Sequence, residues 1–288
     1  MLIIKPYGRL GNNISQIISC MFQNITVYRH KFINLKLIKD TQPILNLFPD
    51  LFVFNFPETD KTITSVFWEG VDDLTIVDSS EKAIILTDFI IETIEEFDAD
   101  TNTIIDKCIK PYINYELSDN FNIDFKNDLV IHIRSGDIFD KHFSLTDYIQ
   151  PPLSYYEKII CENNYRKIFI VTEHCANKNP VILKICTKFK NVYLLQNNID
   201  IDFKIMLNSY NFVSSISTLS KIVNLLSNFK ENIFIPRLWL KGNDKFKYIH
   251  IDCEAYFNII PKTYEEKINN ILNYRDTEYH IDFEKQMS

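Results

Sequence analysis

The stretch Leu129-Val130-Ile131-His132-Ile133-Arg134-Ser135-Gly136-Asp137 passes within a few residues from an apolar run to a set of side chains that can do chemistry. The run has the pattern of a buried strand. The polar set after it suits the carboxyl end of a strand in an open α/β sheet, the edge where such sheets bind ligands. Arg134 offers a planar fork of donors to an anion, Gly136 lets the backbone turn tightly beside it, and Asp137 can orient Arg134 or accept from a hydroxyl. The chemistry indicated is phosphate recognition. An ordinary surface arginine directly after a fully apolar strand and before Gly-Asp is uncommon. Two roles fit His132, a satisfied core histidine or a ligand contact. Two also fit Asp137, a turn cap or a participant in the chemistry.

Glycine usage marks the same places. The chain has five glycines in 288 residues, where average usage gives about 20. Gly8, Gly11 and Gly136 fall in two short segments. The first, Pro6-Tyr7-Gly8-Arg9-Leu10-Gly11-Asn12-Asn13, lies between the apolar Leu2-Ile3-Ile4 and a helical pattern at Ile14, Ile17, Ile18 and Met21. It reads as strand, glycine-containing turn and helix, with Asn12 at or near the N-cap. Such a turn presents free N–H groups and the positive end of a helix dipole to an anion.

Other candidates sit where further strands end. Ser214, Ser215, Ser217 and Thr218 stand between an apolar strand and an apolar helix. There they can cap the helix or offer hydroxyls and N–H groups to a phosphate. Thr172-Glu173-His174 closes a strand at the same edge, and Asp200 and Asp202 precede a helix. Carboxylates such as Glu173 and Asp202 suit ribose hydroxyls or guanine N–H groups, and either aspartate also suits a cap.

Gly8-Arg9-Leu10-Gly11-Asn12, His132-Ile133-Arg134-Ser135-Gly136-Asp137 and Asn211-Phe212-Val213-Ser214-Ser215-Ile216-Ser217-Thr218-Leu219-Ser220 occur in that order. Together they resemble the motifs of the α-1,2-fucosyltransferases of glycosyltransferase family 11 and their wider superfamily. The family often has two consecutive arginines where this chain has Arg134-Ser135, and Gln where it has Asn13. The resemblance implies a GT-B-like α/β architecture, two Rossmann-like domains facing a central cleft. It also implies inverting transfer of L-fucose from GDP-β-L-fucose to a glycan hydroxyl, with an α-1,2 linkage expected. Arg134, Asn12 and Asp137 are then the catalytic candidates, with Asp137 as base. Gly11, His132, Arg134, Glu173, Asp202, Ser215, Ser217 and Thr218 are the donor-binding candidates.

Composition bounds the alternatives. With 46% hydrophobic and 14% aromatic residues the chain fills substantial cores. A formal charge of −7 and a pI near 5.4 exclude a general nucleic-acid surface, which needs clustered Lys and Arg. No stretch reaches the ~18 uninterrupted apolar residues of a membrane span. No signal peptide or anchor is expected. Six cysteines without C-x-x-C pairs read as reduced thiols, so a cytoplasmic protein is expected. Six histidines show no zinc-type spacing.

Around these residues the second half alternates. It predicts strand 128–133, helix 154–163, strand 167–172, helix 181–189, strand 192–195, helix 203–210, strand 211–214, helix 217–229 and strand 232–235. This is the order of a parallel sheet covered by helices. No G-x-G-x-x-G accompanies it, so a conventional NAD or FAD site is not supported. In the first half, strands are expected at 2–4, 26–29, 33–37, 62–68 and 83–86, with a short helix at 101–109. The Asn- and Asp-rich 114–128 reads as a linker. The expected domains are an acceptor-side 1–125 and a GDP-sugar-binding 126–288, with a charged tail from about Tyr274 that frays.

Asp98-Ala99-Asp100 and Asp200-Ile201-Asp202 have the D-x-D form that holds a divalent cation on a nucleotide diphosphate in other transferases. Where Arg134 and a helix N-terminus already neutralise the diphosphate, no metal is needed, and none is expected. Two alternatives stay open. One is another nucleotide-sugar transferase, metal-dependent through a D-x-D, and the other is a non-catalytic glycan- or nucleotide-binding protein.

Overall fold

The computed structural model describes residues 2–4, 35–39, 42–43, 63–65, 106, 110, 113–117, 121–139, 150–173, 179–236, 247–252, 254–275 and 277–281. The chain separates into two compact units, Met1–Glu116 and Leu117–Ser288. In the first unit, β1 (Leu2–Ile4) lies parallel to both β2 (Leu35–Lys39) and β4 (Ile63–Ser65), and β3 (Gln42–Pro43) runs antiparallel to β2. The glycine turn at 8–13, the helix expected after it, the strands at 26–29 and 83–86 and the aspartates 98 and 100 lie outside the described residues.

The second unit is an α/β layer structure. Its strands are β5 (Leu129–His132), β6 (Ile168–Val171), β7 (Val192–Leu195), β8 (Asn211–Val213), β9 (Asn232–Pro236), β10 (Lys247–Asp252) and β11 (Glu278–Ile281). They form one sheet in the order β11-β10-β9-β8-β5-β6-β7. Six strands are parallel and β11 is antiparallel to β10. Reading from β7 to β10, the chain order of the strands is 3-2-1-4-5-6, the doubly wound order of dinucleotide-binding folds. Its topological switch point falls between the first and fourth strands, here β5 and β8.

The sequence explains this arrangement locally. Leu129, Val130 and Ile131, the four residues of β6, and Phe212 and Val213 are all buried. Strands covered on both faces read as continuous apolar runs. Helices α1 (Leu153–Glu162), α2 (Pro180–Lys188), α3 (Ile199–Asn208) and α4 (Thr218–Leu226) make the crossovers. α1 buries Tyr155, Tyr156, Ile159 and Ile160, and the Tyr155 hydroxyl donates to the Phe234 carbonyl at 3.1 Å, tying the helix to β9. α2 starts with Asn179 as cap and Pro180 in its first turn, where the missing proline N–H costs nothing. Asp128 fixes the start of β5: its buried carboxylate accepts from Arg166 Nε at 3.0 Å, Arg166 Nη2 at 2.6 Å, Lys167 N at 3.2 Å and Asp124 N at 2.8 Å. The stretch read as a linker therefore ends in a hydrogen-bonded turn.

Three expectations are corrected. The tail does not simply fray: Glu278–Ile281 pairs with β10, because Tyr279 and Ile281 alternate with Glu278 and His280 in strand period. The third helix begins at Ile199 rather than 203, so Asp200 and Asp202 lie inside it, where a carboxylate near the N-terminus complements the dipole. The fourth helix ends at Leu226: Ser227 N closes the last turn on the Val223 carbonyl at 3.0 Å, Ser227 takes an extended backbone, and its Oγ donates to the Leu207 carbonyl at 2.6 Å. Beyond β9 the chain adds α5 (Glu254–Phe257) and α6 (Tyr264–Asn273). Among the described residues no helix is long and apolar enough to cross a membrane.

Candidate functional site

Both sequence segments of the second unit end at the switch point. β5 stops at His132, and Ile133 N extends the ladder to the Val171 carbonyl at 3.0 Å. Arg134 is half-buried and Ser135 buried, and Gly136 turns the chain with φ +74° into a 3-10 turn over Gly136–Phe139. β8 stops at Val213, and Ser214 N bonds the Phe234 carbonyl at 2.9 Å. The loop of Ser214 to Ser217 then enters α4.

His132 joins the two segments. Its Nδ1 lies 2.7 Å from Ser220 Oγ, 2.8 Å from Ser215 Oγ and 3.5 Å from Ser217 Oγ. Ser215 Oγ donates to Ser217 Oγ at 3.0 Å, and Ser217 Oγ also accepts from Ser220 N at 3.1 Å, which makes it the N-cap of α4. Ser215 N donates to Ser220 Oγ at 3.1 Å. A hydroxyl accepts twice and donates once, so Ser217, with both acceptor positions used, retains its own hydrogen as a donor. Burial, and then the charge of the nearby Arg134, push the His132 imidazole down to about 3 from its usual 6.5. At neutral pH the ring is uncharged. The site therefore has an arginine cation beside a neutral imidazole and a set of ordered hydroxyls at a helix N-terminus. That combination accommodates an anion with several acceptor oxygens.

Glu173 follows β6 at the same edge and is half-buried. Its Oε2 lies 2.6 Å from where a Cβ on Gly136 would stand, so the carboxylate packs against the turn that follows Arg134. Thr218 is the first residue of α4 and half-buried. Asp202 belongs to a different loop: buried in α3, it accepts from Asn197 Nδ2 at 2.8 Å and braces the β7–α3 connection. Asp137 lies in the 3-10 turn, but its side chain is outside the described residues, as are Gly11 and Asn12.

Several residues at this edge went unread in the sequence. Ser220 is three positions after Ser217 and so on the same helix face, a spacing that was available. Asn179 is buried at 0% exposure. Asn179-Pro180 is a legible cap signal, but its contacts with residues 134, 135 and 150 are not. Ser135 is fully buried and accepts from Thr172 Oγ1 at 2.9 Å and Asn179 Nδ2 at 3.0 Å. Among the described residues no group of three or more His, Cys, Asp or Glu is placed to hold a metal.

No protein-family model matches the chain, and no curated protein matches it. Among solved structures it is similar to the fucosyltransferase NodZ from Bradyrhizobium at 12% identity and a TM-score of 0.37, covering 78% of this chain and 92% of that one. A second structure of the same enzyme gives 10% identity and a TM-score of 0.37, covering 88% and 95%. NodZ alpha-1,6-fucosyltransferase soaked with GDP-fucose gives 12% and 0.36, covering 78% and 92%. Likenesses this remote leave the chemistry to be argued from the chain's own residues.

Proposed function

We propose that the chain is a glycosyltransferase that moves L-fucose from GDP-β-L-fucose to a glycan hydroxyl with inversion, forming an α-1,2 linkage in the cytoplasm. The observation that carries this reading is the meeting of the Arg134 segment and the Ser215–Ser220 hydroxyls through His132, at the switch point of the sheet. That is where doubly wound sheets bind nucleotides. A diphosphate there meets the Arg134 cation, the hydroxyls of Ser217 and Thr218, and the amides that open α4, while Ser215 spends its hydrogen on Ser217 and orders it for the same oxygens.

The reaction breaks the bond from fucose C1 to the diphosphate oxygen and forms one from C1 to the acceptor oxygen. The electron pair of the broken bond goes to GDP, and the acceptor proton goes to a base, for which Asp137 is the candidate. Negative charge grows on the leaving diphosphate as positive charge grows on the sugar, so leaving-group stabilisation dominates, and Arg134 supplies it. His132, neutral in the working pH range, holds the serine hydroxyls in register. Glu173 and Asp202 are assigned to ribose or guanine, and Gly11 and Asn12 keep the roles implied by the family resemblance. Residues 1–125 take the acceptor and 126–288 the donor. Arg134 and the α4 terminus provide the positive charge that a cation would otherwise bring, so no metal is assigned.

Release of GDP or UDP by the purified chain, from GDP-fucose, GDP-mannose and UDP-galactose with and without EDTA, tests the assignment. Selective use of GDP-fucose that survives EDTA supports it. A metal-dependent preference for the UDP-sugar contradicts it, and donor binding without turnover across varied acceptors would make the chain a binding protein.

A further inference from the structure

Asn179, between β6 and α2, joins three segments of the chain. Its Oδ1 accepts from Val181 N at 3.0 Å, which fixes the orientation of the amide and caps α2. Its Nδ2 then faces three acceptors: the Arg134 carbonyl at 3.1 Å, Ser135 Oγ at 3.0 Å and Gln150 Oε1 at 2.8 Å. Gln150, also buried, is held in turn at its carbonyl by the Tyr256 hydroxyl at 2.9 Å. The residue that carries the functional guanidinium is thus gripped at its own backbone by a side chain from a different crossover. Helix capping alone requires only Oδ1, so the amide hydrogens have a separate task.

We propose that Asn179 is a positioning residue. Through its amide hydrogens it holds the Arg134–Ser135 backbone, and so sets the guanidinium against the leaving diphosphate. This rests on the nucleotide-sugar reading above. Geometry of this kind matters steeply, because donors aimed at developing charge lose their effect when displaced by a fraction of the contact distance.

The two tasks separate by substitution. Asn179→Ser and Asn179→Asp both keep an oxygen to cap α2 and both remove the amide donors, and the aspartate also keeps the shape. Amide exchange across residues 133–136 and GDP affinity by calorimetry are measured for each, in the wild-type and Arg134→Ala backgrounds. We expect faster exchange confined to that turn and roughly tenfold weaker GDP binding in the wild-type background, with no further loss once Arg134 is alanine, the non-additivity of two residues acting as a unit. Unchanged exchange, or the same loss of affinity with and without Arg134, overturns the inference. If Arg134→Ala binds GDP as the wild type does, the nucleotide reading falls instead, and exchange alone decides whether Asn179 holds the turn.

Discussion

The Glu173 carboxylate occupies the space over Gly136 that a side chain would need: Oε2 lies 2.6 Å from an ideal Cβ at that position. Gly136 also has φ +74°, where a side chain is strained by about 1–2 kcal/mol. Gly136→Ala meets both obstacles. We expect it to lower stability in urea by about 1–3 kcal/mol. Adding Glu173→Ala recovers the steric part and leaves the backbone part. Full recovery in the double variant would mean that the backbone conformation is not costly; no loss in the single variant would mean that the turn is not as described.

His132 links stability to pH. Its folded value of about 3 lies below the unfolded 6.5. In between, the unfolded chain binds the extra proton, so stability falls as pH drops from 6.5 toward 3, while above 6.5 this contribution is complete and flat. At about 1.4 kcal/mol per unit the full effect is on the order of 5 kcal/mol. Urea midpoints across the acid range should slope less steeply in His132→Gln than in wild type. Parallel slopes would mean that the imidazole is protonated without cost in the folded state.

Lys230 is a buried amine with a structural task. Its Nζ donates to the carbonyls of Met206 and Ser209 and to Ser209 Oγ, at the end of α3, and lies 4.4 Å from the centre of the Phe212 ring. Burial lowers its pKa well below the usual lysine value. Lys230→Met fills much of the volume and leaves the Met206 carbonyl its bond from Ser209 Oγ at 2.8 Å, but takes the donor from the Ser209 carbonyl, and a buried unsatisfied group costs about 1–3 kcal/mol. We expect a loss in that range in chemical denaturation and unchanged GDP affinity. A stability equal to wild type would show that water or relaxation serves the carbonyls as well.

What was legible in the sequence was what repeats along it. The apolar runs at 129–133, 168–171 and 211–213 and the helices between them fix a parallel sheet, and the polar residues that follow β5 and β8 meet at one edge of it. The Ser217 cap was legible for the same reason, since capping acts over three residues. The bonds from Asn179 to Arg134 and Ser135, and from His132 to Ser220, cross 44 to 88 positions and depend on the order of strands, which no local pattern carries. The start of α3 was misplaced because Asp200 and Asp202 suit both a cap and a first turn. The strand at Glu278–Ile281 was missed because its charged alternate residues look like tail composition when the pairing partner is unknown.

The most direct test is the rate of GDP release from GDP-fucose by wild type and by Arg134→Ala, with an acceptor glycan present and with EDTA throughout. Loss of a single preorganised charge-stabilising donor typically lowers kcat by about 100- to 1,000-fold. We expect a fall of that size in Arg134→Ala, larger than any change in the KM for GDP-fucose, with the fold intact by circular dichroism. Turnover in Arg134→Ala within a few-fold of wild type would contradict the assignment of the leaving-group role to this residue.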